Sequence, residues 1–422
     1  MGSAATVPGR RYMLADHHPS PCSPARTGRR HARAHGTPLS GGEHGYLHPG
    51  HPGTVQVASV ERGRDVASRR SDRCHPGAHP RTLALERSQC DGQIGVGTPG
   101  RQEAVMGPGR PRWTERAAWL LRLPLETPTI PFEDPDSGCT LWLKLDYLLP
   151  SGCTKDRMAT SIVAYAIASG EVSPSTIVVE ASSGSTSIAL SMVCATVGVR
   201  FRAYMPKTVS GERVLMIRRL GGDVVLTPAG QGMDGAVAAL LHDFGTGADM
   251  YAARQFENPR NVFAHRHSTG PQLIQQVGVR LDGFVAGVGT GGTLMGVAHA
   301  LRDHGFDTVI SQAVPTATVT AEGDREVVGG IPGIVEGMSK LLDPGAVGLD
   351  GSVLVPEPEA METAREFARR GLGIGPSSGL NIAGARRLAA RLGPGHHVGT
   401  ILPDRMERYF STTLFDDVTA EL

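Results

Sequence analysis

Thr176-Ile177-Val178-Val179, then Ser182-Ser183-Gly184-Ser185-Thr186-Ser187, then the apolar run Ile188 to Val197 stopped by Gly198, is the stretch that decides the fold. A short β-branched run reads as a buried strand, the serine- and glycine-rich link as a loop, and the longer run with its terminal glycine as a helix. The unit recurs. Phe201 to Met205 predicts a strand, Glu212 to Leu220 a helix followed by Gly221, and Asp223 to Leu226 a strand again. Gly232 to Phe244 predicts a helix, Phe284-Val285-Ala286 a strand, Leu294 to His304 a helix and Val309 to Val314 a strand. Helices over Glu359 to Arg369 and Leu380 to Leu392 and a strand over Val398 to Leu402 close the series, with an irregular connection expected at 316–335. Such alternation gives an α/β fold around mostly parallel strands, and strands apolar throughout need both sheet faces covered. Ligands then bind beyond the carboxyl ends of strands, where glycine loops lead into helices.

The alternation begins near Trp113, and what precedes it is a different polymer. Residues 1–110 hold 15 arginines and no lysine against 8 acidic residues, whereas the whole 422-residue chain carries a formal charge of +1. They are dense in Gly, Pro, Arg and His without sustained apolar periodicity, so a disordered tail is expected, with Met106 as an alternative start. Its basic residues lack interleaved aromatics, and pairs such as His17 with His18 lack ligand companions. Neither nucleic acid nor a metal is an expected partner. Cys22, Cys74, Cys90, Cys139, Cys153 and Cys194 stand singly, as reduced thiols do. With no secretory h-region and no run of ~20 apolar residues for a membrane span, a cytoplasmic protein is expected.

Lys155 is one of only four lysines, and it lies in Ser151-Gly152-Cys153-Thr154-Lys155-Asp156-Arg157 at the start of a helix-like stretch. Further on, Gly287-Val288-Gly289-Thr290-Gly291-Gly292-Thr293 crowds backbone N–H groups ahead of a helix, which makes a phosphate site. The same spacing fits a dinucleotide loop, but the next strand ends Gln312-Ala313-Val314-Pro315 without the acid that would hold a ribose. One phosphate site and one lysine at a helix start point instead to pyridoxal phosphate, an aldehyde that a lysine amine can hold as a Schiff base. Ser377, in Gly375-Pro376-Ser377-Ser378-Gly379, is placed to be a neutral partner for the pyridine nitrogen, which favours β-elimination and β-replacement over transamination.

The order Ser-Gly-x-x-Lys-Asp-Arg, Ser-Gly-x-Thr, Gly-Thr-Gly-Gly-Thr, Ser-Ser-Gly resembles the cysteine synthase and cystathionine β-synthase family of pyridoxal-phosphate enzymes, from about Leu123 to Leu414. Met205-Pro206, Gln255-Phe256-Glu257-Asn258-Pro259 and Thr269-Gly270-Pro271 belong to the same resemblance. It implies a tryptophan synthase β-like fold of two three-layer domains with the cofactor in the cleft between them. The larger domain would comprise 111–148 and 258–415, and the smaller, mobile one 149–257. Lys155 would be the Schiff-base lysine and would move the α-proton. Gly289, Thr290, Gly291, Gly292 and Thr293 would form the phosphate cup, Ser377 would partner the ring nitrogen, and Ser185 would stand where the family has asparagine against the ring hydroxyl. Ser182, Ser183, Gly184, Thr186 and Gln255 would grip the substrate carboxylate.

The implied reaction is β-replacement on an activated L-serine such as O-acetylserine, with sulfide, through an aminoacrylate to L-cysteine, in a homodimer. L-cysteine desulfhydrase or another β-substituting synthase is the alternative, because Ser185 and Ser187 replace the usual Asn and Gly. Arg405-Met406 replaces a smaller pair and is expected near the cofactor wall. Plainer roles compete at some positions. Ser185 and Ser187 could cap the following helix, Cys153 could be a packed small residue, and His265 and His267 are expected on a solvated helix face.

Overall fold

The computed structural model describes residues 112–419, apart from 124, 320–324, 327–329 and 336–338. The tail at 1–110 and Met106 therefore lie outside the described residues. In chain order come helix α1 (Trp113–Leu120), strands β1 (Thr129–Asp134) and β2 (Cys139–Lys144), helix α2 (Lys155–Ala168), β3 (Ile177–Ala181) and α3 (Ser185–Val197). Then follow β4 (Arg200–Pro206), α4 (Gly211–Arg219), β5 (Asp223–Thr227), α5 (Gly232–Phe244), β6 (Met250–Ala252), α6 (Arg260–Ala264) and α7 (Gly270–Val277). The chain continues through β7 (Gly283–Gly287), α8 (Gly292–Asp303), β8 (Val309–Thr316), β9 (Thr318–Val319), β10 (Arg325–Glu326) and α9 (Pro344–Val347). It closes with β11 (Leu349–Pro356), α10 (Glu357–Arg369), α11 (Pro376–Leu392), β12 (His397–Ile401) and α12 (Asp416–Thr419).

Two sheets carry the site. The smaller runs β5-β4-β3-β6, all parallel, and β3 is buried at every residue. The larger runs β1-β2-β12-β7-β8-β11, parallel except for the antiparallel pair β1 and β2. Successive strand residues point to opposite faces. Val285 joins a core with Leu141, Phe367 and Leu388 on one side, while Phe284 and Ala286 join Leu273, Leu294 and Leu301 on the other. In the small sheet, Val178 and Val179 divide in the same way between two cores. Both faces of each sheet are covered, as continuous apolar strands require. Gly198 ends α3 in the left-handed conformation that glycine adopts without strain, φ +72°.

Strand order matters most for the site. In the small sheet the chain leaves β3 for β4 on one side and returns to β6 on the other, so the crevice opens at the carboxyl ends of β3 and β6. In the large sheet it leaves β7 for β8 and β11, then returns as β12 on β7's other edge. Open parallel sheets bind ligands where the order reverses. The serine loop follows β3, Gln255 follows β6, the glycine loop follows β7 and Asp404 follows β12, so each lies at such a reversal.

The structure corrects the reading of His265. It is 2% exposed, within a single π-helical turn at His265–Thr269 between α6 and α7, whereas His267 is exposed as expected. An extra residue in that turn rotates His265 inward, and Gly296 on α8 makes room for its Cβ. The connection after β8 holds the short antiparallel pair β9 and β10, and its remaining middle residues lie outside those described.

Candidate active site

Lys155 is the first residue of α2, and the turn that presents it is pinned from both sides. Arg157 Nη2 and Nε bind Asp146 Oδ1 and Oδ2 at 2.7 and 2.9 Å, with both side chains fully buried. Thr127 and Thr154 donate their hydroxyls to the same carboxylate at 2.8 Å each. Burial pushes the Asp146 carboxyl up, but the Arg157 charge and these donors outweigh it and hold it at about 2. Asp156 accepts from the Ser151 N–H at 2.7 Å, although burial raises it to about 6. The turn is stitched to the chain beyond β12, where Thr154 N–H donates to Pro403 O at 2.7 Å and Arg408 Nη1 to Gly152 O at 3.0 Å. Asp156 and Arg157 thus fix the backbone that aims the lysine. Cys153 is buried there and kept a thiol, burial pushing it to about 11.

Beyond β3, the serine loop enters α3 through Gly184, whose φ is +145°. A Cβ there would stand 2.5 Å from Arg213 Cδ, so the close approach needs glycine. Neither Ser185 nor Ser187 caps α3. Ser187 instead shares a hydrogen bond with Ser182 at 2.6 Å, and Ser185 Oγ faces Asp404 Oδ2 at 3.5 Å. Thr186 donates to Gln255 Oε1 at 2.5 Å, and Gln255 Nε2 donates to Glu180 Oε1 at 3.3 Å. Glu180 is buried on β3, and burial pushes it to about 8. Arg254, immediately before Gln255, has φ +54°. A non-glycine residue in that region costs about 1 kcal/mol or more, and such strain gathers at functional sites.

The glycine loop joins β7 to α8 with Gly291 as the left-handed residue, φ +79°, just before the helix. Asn261 holds it from below: its Nδ2 donates to Thr290 Oγ1 and to Gln255 O at 2.9 Å each. His265 supports Thr293, with Nε2 and Oγ1 3.2 Å apart, and its Nδ1 lies 2.8 Å from Thr269 Oγ1. Burial depresses His265 to about 3, so the ring is neutral. Asn381 on α11 accepts from Gly287 N–H and donates to Ile401 O, both at 2.7 Å, bridging β7 and β12. Ser377 opens the same helix and is 5% exposed.

Two adjoining cavities contain nearly all the residues singled out from sequence. The first is lined by Lys155, Ser182, Ser183, Gly184, Ser185, Thr186, Gln255, Gly289 and Thr290, together with Arg213, Met233, Phe256 and Tyr409. The second is lined by Lys155, Ser185, Gly289, Thr290, Gly291, Thr293 and Ser377, together with Cys153, Asn381 and Asp404. Lys155 and Ser185 stand on the shared wall. Gly292 lines neither: it packs against Asn261, with which a Cβ would collide. The bulky pair also falls outside. Arg405 lies over Gly152 and donates to Tyr147 O at 2.9 Å, and Met406 lies against Gly373.

Asp404, Tyr409, Arg213, Asn261 and His265 escaped the sequence reading. Each is fixed by a contact distant in the chain, as when Tyr409 OH donates to Asp404 Oδ2 at 2.6 Å beneath a serine more than 200 positions earlier.

A cleft in which one lysine faces a serine loop on one side and a glycine cup on the other defines a cofactor-dependent amino-acid enzyme. Residues 121–404 match the family of pyridoxal-phosphate dependent enzymes, and the chain belongs to that family. It is 37% identical over 292 residues to the cysteine synthase of Staphylococcus aureus strain N315, covering 67% of this chain and 92% of that one. Among solved structures it is similar to O-ureido-L-serine synthase, with 35% identity and a TM-score of 0.62 over 69% of this chain and 93% of that one. It is also similar to a hydrogen sulfide-producing enzyme of Fusobacterium nucleatum, with 30% identity and a TM-score of 0.65 over 71% and 92%. The cofactor is pyridoxal phosphate.

Proposed function

We propose that this protein is a cysteine synthase, replacing the β-substituent of an activated L-serine such as O-acetyl-L-serine with sulfide. The observation that carries the reading is the position of Lys155, on the wall shared by the serine-loop cavity and the glycine-loop cavity. The residues fit the cofactor. The glycine loop is a cradle that side chains would fill, since a Cβ at Gly289 would collide with Gly333 O and one at Gly291 would crowd Ser339. It opens α8, whose N-terminal N–H groups favour a phosphate.

Lys155 would hold the aldehyde carbon, Gly289 to Thr293 the phosphate, Ser377 the ring nitrogen and Ser185 the ring hydroxyl. Pyridoxal phosphate, when bound, supplies an electron sink that makes the α-proton acidic and the β-substituent labile. The chain's own groups do the rest. The Lys155 amine would take and hold the proton from the substrate Cα. Ser182, Thr186 and Gln255 fix the carboxylate, which sets the Cα–H bond toward that amine. Met233, Phe256 and Val335 line the apolar part of the first cavity and limit water.

Cysteine desulfhydrase is the second reading, favoured by Ser185 in place of asparagine and by the likeness to a hydrogen sulfide-producing enzyme. The cofactor-loaded protein should form L-cysteine from O-acetyl-L-serine and sulfide, and Lys155→Ala should abolish this. Sulfide release from L-cysteine with no synthesis would replace the first reading with the second. The reading extends to a smaller mobile domain at 149–257 closing on 111–148 and 258–415, and to a cytoplasmic homodimer. The exposed Trp119 and Leu121, at and just beyond the end of α1, offer apolar surface for the dimer. Light scattering on the purified chain tests the dimer.

A further inference from the structure

Arg213 is the unexplained charge of the cleft. It lies on α4, 8% exposed, and lines the serine-loop cavity but not the glycine-loop cavity. Its Nη1 donates to Ser183 O at 3.1 Å, and its guanidinium stands over the Tyr409 ring at 5.2 Å. Its buried Nε has no hydrogen-bond partner among the described residues. Among the described residues, Lys155 is the only other charged one on that cavity's lining, and no described carboxylate shares it. The nearby described acids have other hydrogen-bond partners. Glu212 accepts from Ser411, and Asp404, raised by burial and lowered by the Arg408 and Arg213 charges, accepts from Tyr409.

A buried guanidinium with an unpartnered donor is costly, and its planar fork of donors matches carboxylate and phosphate oxygens. Of the cup, Gly289 and Thr290 line both cavities, Gly291 and Thr293 only the other one, whereas Arg213 lines only this one. The serine loop and Gln255 already provide for the α-carboxylate. We infer that Arg213 binds the acidic group on the β-carbon of the substrate, selecting L-serine derivatives whose β-substituent is, or leaves as, an oxyanion. This inference rests on the β-replacement reading and names its substrate class. When the Cβ–O bond breaks, its electron pair stays with that oxygen, and the departing phosphate or carboxylate is stabilised by the guanidinium.

The test compares O-phospho-L-serine with O-acetyl-L-serine in the loaded wild-type enzyme, Arg213→Gln and Arg213→Lys. Glutamine should lower kcat/KM for the phosphate ester ~10- to 100-fold more than for the acetate ester, the range expected for a charge-assisted hydrogen bond. Lysine should restore part of that difference. Calorimetry with Lys155→Ala protein gives a second readout: O-phospho-L-serine should bind at least ~10-fold more tightly than L-serine. Adding Arg213→Gln should remove that gap. Equal losses for both esters, or equal weakening of L-alanine binding, would make Arg213 a holder of the serine loop or of the α-carboxylate and overturn the inference. If the wild type turns over neither ester, the β-replacement reading fails instead.

Discussion

Thr186 donates its hydroxyl to Gln255 Oε1 across 2.5 Å, tying the loop after β3 to the segment after β6 at the point where the small sheet reverses its strand order. Gln255 is held in turn by Glu180 and carries Asn261 on its carbonyl, so one amide side chain links the serine loop to the support of the glycine loop. Gln255→Ala should raise KM for the amino-acid substrate ~10-fold and cost about 1–3 kcal/mol of stability, because Glu180 loses a buried partner. Cofactor affinity should change little, since Asn261 bonds the main chain of residue 255. Steady-state kinetics beside a denaturant titration check this, and an unchanged KM would remove Gln255 from the substrate site.

Glu180 gives the fold a pH dependence of definite sign. Its carboxyl sits near 4.5 when unfolded and is pushed by burial to about 8 in the fold. Between those values the folded chain binds more protons, so stability falls as pH rises, by up to about 1.4 kcal/mol per pH unit. Glu180→Gln should flatten that slope between about pH 5 and 8 while keeping hydrogen bonding to Gln255. Denaturant midpoints across the range decide it, and parallel curves for wild type and variant would show that the carboxyl is ionised throughout.

His265 acts in the opposite direction. Burial lowers it from 6.5 to about 3, so below pH 6.5 the unfolded chain takes up a proton that the folded chain refuses, and stability falls as pH falls. His265→Gln should reduce that acid-side loss. It should also weaken cofactor binding several-fold at neutral pH, because Thr293 loses the ring nitrogen that orients its hydroxyl. Fluorescence titration of cofactor into the cofactor-free protein measures the second effect, and intact affinity would confine His265 to the core.

Much of this was legible from sequence, because β7 is apolar throughout, β3 is apolar but for Glu180, and glycines mark the ends of α3 and of the loop into α8. The parts that escaped have identifiable causes. β1 contains Pro131 and lies at the sheet edge, β6 has three residues, and β11 shifts register around Asp350 and Gly351. β2 alternates over six residues, with Leu141 and Leu143 buried, a pattern the sequence does carry. In the site, a motif reveals Lys155 or Gly291, whereas Arg213 and Asp404 matter through neighbours that only the folded chain supplies. His265 was misread because a helical pattern cannot register one π-helical turn, and that turn changes which side of the helix is buried.

Gly289 separates the need for close backbone approach from general sensitivity to substitution. A Cβ at Gly289 would run into Gly333 O, a backbone atom that cannot swing aside, so Gly289→Ala must displace the segment covering both cavities. Such overpacking costs about 1–3 kcal/mol. Cofactor affinity should fall at least ~10-fold as the loop moves off the phosphate. Gly230 meets nothing within 4 Å and has no left-handed φ, so Gly230→Ala should leave affinity unchanged and stabilise the fold by about 0.4–1 kcal/mol. Measuring cofactor dissociation and thermal midpoints for the pair is decisive: if Gly289→Ala binds the cofactor as tightly as Gly230→Ala, the phosphate does not sit where the backbone at Gly289 must approach it.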